Sequence, residues 1–198
     1  DVFGIPMGIN GSESGLARDT YLGYNWNRDK SRKLNLFAEF ETFFNEDWKL
    51  NNKISYTQND NTNQFGYLAA TSTAYTGLVR GNTINTNNLQ RYDNEGNQFV
   101  FQSNLTGKYQ LLGRKHDIFL GYTYNREDND SRWRRVRNSS AYDPFTFTGT
   151  EIAEPNWSTD YNDQTFYDRT IYSNSVSFGT RFNILVNLHL LAGTRYTQ

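Results

Sequence analysis

The sequence predicts an all-β fold, an antiparallel sheet forming a segment of transmembrane β-barrel, and three observations carry the prediction. First, apolar and polar residues alternate through six stretches, at 33–43, 48–58, 97–111, 116–126, 169–182 and 186–197. Successive side chains of a strand point to opposite faces, so alternation marks a strand lying between two different environments. Second, these stretches join in pairs through hairpin-sized breaks, "FNED" (44–47), "LGRK" (112–115) and "NILV" (183–186), whereas 59–96 and 127–168 are long and polar. Short turns at one end and long loops at the other are how an outer-membrane barrel is organised. Third, one face is free of charge. Alternate positions from Leu34 to Thr42, Trp48 to Tyr56, Phe99 to Leu111, Ile118 to Tyr124, Tyr172 to Phe182 and Val186 to Tyr196 give about 33 residues, where a chain that is 21% charged would place roughly seven charges, and none is charged. A lysine or arginine at the middle of a bilayer costs ~2–4 kcal/mol, which supplies a reason for that exclusion.

The first hairpin sets Leu34, Leu36, Ala38 and Phe40, then Trp48, Leu50, Ile54 and Tyr56, on the apolar face. Asn35, Glu39, Glu41, Lys49, Asn51 and Lys53 fall on the other, and folding about the turn is expected to bring both glutamates near Lys53. The second hairpin runs Phe99 to Leu111 and Ile118 to Tyr124 on the apolar side, with Gln102, Lys108 and Asp117 opposite. In the third, Tyr172 to Phe182 and Val186 to Tyr196 face Arg181, His189 and Arg195 across the strand plane. The charged face suits a wet lumen or a polar filling. Trp48, Tyr109 and Tyr196 lie near strand ends, where an aromatic belt would sit. Soluble strands average 5–6 residues. These stretches run 11–15, enough for a tilted membrane crossing. The long connections could extend the strands, form small hairpins, or both. A soluble β-sandwich is the alternative that pattern alone leaves open.

Composition narrows the classes. The 198 residues carry a net charge of −1, no cysteine, 36% hydrophobic residues and 16% aromatics, including 14 Tyr and 14 Phe. A mean hydropathy of −0.81 is poor material for a sealed core, while the aromatic content is too high for a disordered chain. No run of about 18 apolar residues exists, so no transmembrane helix is expected. The opening "DVFGIPMG" has neither the basic start nor the apolar stretch of a signal peptide. The balanced charge gives no global pull toward nucleic acid, and none is expected as a partner.

Candidate chemistry is sparse. Glu39 and Glu41 lie two apart on one face and could approach glycosidase separations. No cleft or second acidic partner accompanies them, and lumen charges answered by lysines explain them better. "REDNDS" (126–131) starts like a calcium loop but lacks the glycine and the distant glutamate. His116 and His189 are not spaced as a metal pair, and the glycines at 4, 8, 11 and 15 lack a following Gly-Lys-Ser/Thr. "RWRRVR" (132–137) is the strong local charge run. It fits nucleic-acid contact through Trp133, capture of an anionic ligand at a barrel mouth, or a solvated loop touching lipid headgroups. With no nucleophile–base–orienter set, catalytic residues are none, metal ligands are none, and no enzyme is expected.

Four local patterns resemble the TonB-dependent siderophore receptors of the outer membrane. "GIPMG" (4–8) with "LARDTYLGYNWNRD" (16–29) resembles a ligand-facing loop leading into a barrel strand. "LNLFAEFETFFNEDWKLNNKISYTQ" (34–58) resembles a hairpin that ends on Phe, turns on Asn/Asp and restarts with Trp-Lys-Leu. "NLTGKYQLLGRKHDIFLGYTYNRED" (104–128) is similar to a hairpin of the ferric-pyoverdine and ferrichrome-type branch, and "LHLLAGTRYTQ" (188–198) to a Leu-Leu-x-Gly-x-Arg-Tyr strand. The resemblance implies about seven strands of a 22-strand barrel, with residues 1–198 part of one barrel domain, and with the plug domain and remaining strands outside this chain. It implies TonB-energised import of a ferric siderophore across the outer membrane of a Gram-negative bacterium. The iron would arrive in the chelate, with no covalently bound cofactor. Expected partners are the siderophore, outer-membrane lipid and, through a plug, the TonB complex. Expected ligand-binding residues are Arg18, Trp26, Tyr92, Trp133, Arg134, Arg135 and Trp157, since aromatic and cationic groups suit an anionic catechol- or hydroxamate-bearing chelate. The alternatives are a small passive barrel acting as a porin or adhesin, and a soluble carbohydrate-binding β module.

Overall fold

A computed structural model describes residue 8, residues 12–68 and residues 83–198. Apart from Gly8, "GIPMG" lies outside the described residues, as does 69–82 of the first long connection. Among the described residues, eight strands follow in chain order: β1 (Arg28–Asn45), β2 (Trp48–Phe65), β3 (Ile84–Asn85), β4 (Leu89–Leu111), β5 (Arg114–Val136), β6 (Ala141–Tyr142), β7 (Asp163–Asn183) and β8 (His189–Thr197). Six of them form one sheet in the order β1-β2-β4-β5-β7-β8, and β3 pairs with β6 separately. Among the described residues, no helix is long and apolar enough to cross a membrane.

Five of the six expected stretches lie wholly within strands, and the first two tight turns fall where expected. The third turn takes residues 184–188 rather than 183–186, so the last strand starts at His189 and not at 186, because the Leu188 carbonyl accepts from the amides of Ile184 and Leu185. The strands reach farther on the loop side than alternation alone shows. β4 and β5 are each 23 residues long, roughly 78 Å at the usual strand rise, more than twice a tilted membrane crossing. The polar connections thus both extend strands and form a small hairpin-like pair, Ile84 opposite Tyr142 and Asn85 opposite Ala141.

The described residues group into two compact units. One takes its residues from Arg32–Asp60, Glu95–Asp130 and Asp168–Gln198. Its turns are tight. Leu112 and Gly113 connect β4 to β5 with φ of 53° and 74°, the left-handed geometry that two-residue hairpins require. Glycine adopts it freely, whereas Leu112 does so at a cost of about 1 kcal/mol. Because the β1–β2 turn falls at Glu46–Asp47, Lys49 rather than Lys53 reaches Glu41, at 3.0 Å. Asn51 bridges the pair, donating to Glu39 at 2.7 Å and to Glu41 at 3.2 Å.

The apolar parity of this unit is exposed to a degree no aqueous surface favours. Leu34, Leu36, Phe40, Tyr172, Val176, Leu190 and Tyr196 all lie open. Patches of that extent mark a lipid or partner interface. The polar parity is less uniform than alternation suggests, for Phe37, Phe43, Phe119 and Leu191 sit on it beside Lys49, Lys108 and Arg181. At the tight-turn end the apolar parity packs an aromatic group. The His116 ring lies 5.2 Å from Tyr109 and 5.7 Å from Phe182. The Asn183 amide donates to Nδ1, so Nε2 carries the proton and donates to the Leu111 carbonyl. Beside this group, a Cβ on Gly107 would overlap the Trp48 ring.

The second unit draws on Asp1–Ser31, Asn61–Asn94 and Ser131–Tyr167. Its core is small and aromatic: Tyr24, Leu89 and Trp157, with Trp26, Val136, Phe147 and Ile152 against them. Trp26 lies parallel on Tyr24 at 5.5 Å, and Trp157 meets Trp26 edge-on at 6.1 Å. The Tyr24 hydroxyl pairs with Thr86 Oγ1 at 2.8 Å. A second cluster joins Leu68 and Ile84 to Leu16, Leu22, Tyr142, Phe145 and Phe147. The connection from β5 to β7 is tied at its base. Asp163 accepts from Arg135 at 2.7 Å and from Arg137 at 2.9 Å. The backbone amides of Asn162 and Arg137 add bonds to the Arg135 carbonyl and the Asn162 side chain.

Two outcomes follow from these contacts. Gly107→Ala in the intact barrel should lower the urea midpoint, since overpacking costs about 1–3 kcal/mol. Trp48→Ala should restore much of the loss in a double-mutant cycle; additive losses would separate the two residues. Arg137 and then Arg135 hold the Asp163 carboxyl below its ordinary value. Its stabilising contribution is therefore complete above the unfolded value near 4 and is lost as pH falls through the folded one. Protease cleavage within 138–160 should accelerate as the pH is lowered through and below about 4, and Asp163→Asn should accelerate it at pH 7.

Candidate ligand-binding site

The loop ends of β2, β4 and β5 carry a row of aromatic rings. Tyr67 and Phe65 stack at 6.0 Å, Phe65 and Tyr92 at 6.2 Å, and Tyr92 meets Trp133 at 6.4 Å. The Arg135 guanidinium lies over Trp133, 5.2 Å from the ring centroid. All five side chains are half-buried, so each keeps part of its surface in water. Strand pairing explains the row, because rings of matching parity on neighbouring strands fall within contact range. Gln90 fixes two of them, its Oε1 accepting from the Tyr92 hydroxyl at 2.9 Å and from Trp133 Nε1 at 3.1 Å. Tyr92 holds an even position of β4 and Trp133 an odd position of β5, the polar parities of those strands.

The adjoining cations are anchored. Arg134, only 12% exposed, pairs with Asp93 at 3.1 Å, and Arg91 holds the same carboxylate at 2.8 Å. Burial pushes Asp93 up, but Arg91, Thr62 and Arg134 outweigh it and keep the carboxyl below its ordinary value. Arg134 also covers the Tyr161 ring at 5.9 Å, and Arg132 covers Phe166 at 4.8 Å. An aromatic platform edged by fixed cations can take a flat, electron-rich, anionic ligand by stacking and charge.

Of the seven residues expected from the sequence, Tyr92, Trp133 and Arg135 come together in this row. Arg134 lies on the opposite parity of β5, turned to Asp93. Trp26 and Trp157 are packed into the aromatic core, with Trp157 only 5% exposed and Trp26 Nε1 donating to the Ile152 carbonyl at 3.0 Å. Arg18 stands exposed on the turn before Thr20 and pairs with none of the described residues. Sequence reasoning missed Phe65, Tyr67 and Gln90. Their signal was present, since Phe65 and Tyr67 continue the odd parity of β2, but the Asn-rich run before them carries no alternation to tell strand extension from hairpin. Among the described residues, no three His, Asp or Glu side chains gather as a metal site.

Comparison with known proteins sets this geometry in a family. Residues 3–198 match the family model described as TonB dependent receptor-like, beta-barrel. A ferric-pyoverdine receptor, PbuA, of a Pseudomonas species is 28% identical over 64% of this chain and 15% of its own length. The ferripyoverdine receptor of Pseudomonas aeruginosa is 25% identical over 93% of this chain and 22% of its own. Among solved structures, the ferripyoverdine receptor of the outer membrane of Pseudomonas aeruginosa bound to ferripyoverdine superposes with a TM-score of 0.76 at 21% identity, covering 98% of this chain and 25% of that one. A complex of that receptor type with pyocin S2 gives 0.76 at 20% identity, again over 98% of this chain and 25% of that one. The chain thus spans about a quarter or less of the relatives it matches. The soluble β module is excluded, and the protein is a receptor-type barrel rather than an enzyme. With its lipid-facing parity, its tight turns and its long loops, the chain belongs to the TonB-dependent receptor β-barrel family of the Gram-negative outer membrane.

Proposed function

We propose that this chain is part of a TonB-energised receptor that imports a ferric siderophore, with the row Tyr67–Phe65–Tyr92–Trp133 and its Arg135 cap contributing to ligand capture. The row is the observation that carries the reading: four ring faces in sequence, ended by a cation, on half-buried side chains. A ferric chelate with conjugated, anionic iron-binding groups suits such a surface, and iron enters as cargo within the chelate rather than on protein ligands. Two curated relatives are named as pyoverdine receptors, which supports a siderophore of that kind. Arg134, Arg18, Trp26 and Trp157 then act around the row, the two tryptophans by holding loops in place and the arginines by their charge. Outer-membrane lipid contacts the apolar parity, and further strands of the same barrel pair with the free edges of β1 and β8, because hydrocarbon cannot satisfy an open backbone edge. Energy coupling would reside in a plug region beyond this chain.

In the intact receptor, a ferric siderophore should quench tryptophan fluorescence, and Trp133→Ala or Tyr92→Ala should raise Kd about tenfold, the worth of one lost stacking partner. Trp26→Phe, in the loop core, should leave Kd within about twofold. Absence of quenching by any ferric chelate, together with equal expression in iron-rich and iron-starved medium, would remove the siderophore reading.

A further inference from the structure

Gln90 does more than brace the aromatic row. It stands two residues before Tyr92 on β4, on the same parity, and is half-buried. Its Oε1 accepts from the Tyr92 hydroxyl at 2.9 Å and from Trp133 Nε1 at 3.1 Å. An indole nitrogen only donates, so the carbonyl end of the amide must face Trp133, and the orientation of the whole group is fixed. Both lone pairs of Oε1 are thereby used. The two hydrogens of Nε2 meet no acceptor among the described residues. Nε2 is also not one of the buried polar atoms that lack a partner, so solvent reaches it. The guanidinium groups nearby are already answered: Arg91 and Arg134 share Asp93, and Arg135 binds Asp163. A directional donor without a protein partner is therefore held at the edge of two ring faces.

Resting on the reading of the row as a capture surface, we infer that Gln90 is its specificity-determining residue, Nε2 donating to an oxygen on the rim of an aryl group stacked against Tyr92 and Trp133. Stacking accepts any planar ring, because every such ring has a π-face. Discrimination in a mostly aromatic site comes from its few placed polar groups. A ring that covers Nε2 without an acceptor strips water from an N–H and returns nothing, which costs more than a hydrogen bond between neutral groups contributes. The class selected is an aryl chelate whose ring carries an exocyclic carbonyl or carboxylate oxygen beside its iron-binding groups. The same ring without that oxygen is disfavoured. The two ends of one amide thus divide the work, Oε1 setting the rings and Nε2 reading what lies on them.

The test titrates the intact receptor at neutral pH with two ferric complexes of equal charge, those of catechol and of 2,3-dihydroxybenzamide, read by tryptophan quenching. The iron-binding ring is the same in both, and the second adds a carbonyl that need not ligate the metal. Wild type should hold the benzamide complex about tenfold more tightly, equivalent to about 1.4 kcal/mol. In Gln90→Glu the carboxylate still accepts from Tyr92 and Trp133 but has no hydrogen to give. Its preference should fall to about twofold or less, or reverse, while the near-UV circular dichroism of the rings stays unchanged. Gln90→Met loses both ends of the amide and should lose the preference together with the ring spectrum. Equal binding of the two complexes by wild type, or a tenfold preference retained in Gln90→Glu, would overturn the assignment and leave the row standing as a capture surface. Binding of neither complex would overturn the assignment and the row together.

Discussion

Every backbone N–H and C=O that crosses hydrocarbon must find its partner inside the protein, because water is absent and each unsatisfied group costs several kcal/mol. That constraint organises the chain. It dictates long antiparallel strands joined by minimal turns, and once the backbone is paired, the period of two leaves side chains only the choice between two faces. Leu34, Leu36, Ala38 and Phe40 go to one solvent and Asn35, Glu39 and Glu41 to the other. Slipping the register by one residue would invert the whole assignment. Hence the apolar parity within 34–42, 48–56, 99–111, 118–124 and 172–182 excludes charge, while the other tolerates phenylalanines beside lysines. The excluded face meets lipid alone. The tolerant face carries both kinds of side chain, Phe43 beside Lys49 and Phe119 beside Lys108.

Outside the membrane the constraint relaxes, and packing of another kind takes over. There the strands continue as scaffolds for short aromatic contacts, and the loops between them close on Tyr24, Leu89 and Trp157. Polar side chains do much of the fixing. Asp163 gathers Arg135 and Arg137, Asp93 gathers Arg91 and Arg134, and Gln90 holds Tyr92 and Trp133. The carboxylates sit at the bases of loops and keep guanidinium groups at set positions beside aromatic faces. Charge and stacking are thereby held at fixed positions by the fold.

The crossing strands were legible in the sequence because lipid enforces their alternation residue by residue. Trp48 to Tyr56 and Tyr172 to Phe182 show the period plainly. The loop ends were less legible, and the reason is physical. Beyond the bilayer both faces of β2 and β4 meet polar surroundings, so "TQNDNTNQ" (57–64) carries no hydrophobic contrast although it is strand. Phe65 and Tyr67 were hidden by that run. The roles of Trp26 and Trp157 depend on contacts across more than 100 residues, which local pattern does not register. The Lys49–Glu41 pairing turned on where a two-residue turn falls, a matter of one or two positions.

The central claim is that the two parities of one strand face two solvents. It is tested most directly by introducing single cysteines at positions 34–41 of the intact receptor, spin-labelling each, and measuring collision rates with oxygen and with a water-soluble nickel chelate in lipid bilayers. The account predicts a period of two, with oxygen favoured at Leu34, Leu36, Ala38 and Phe40 and suppressed relative to the chelate at Asn35, Phe37, Glu39 and Glu41. Equal accessibility at all eight positions, or chelate favoured at the even ones, would contradict it.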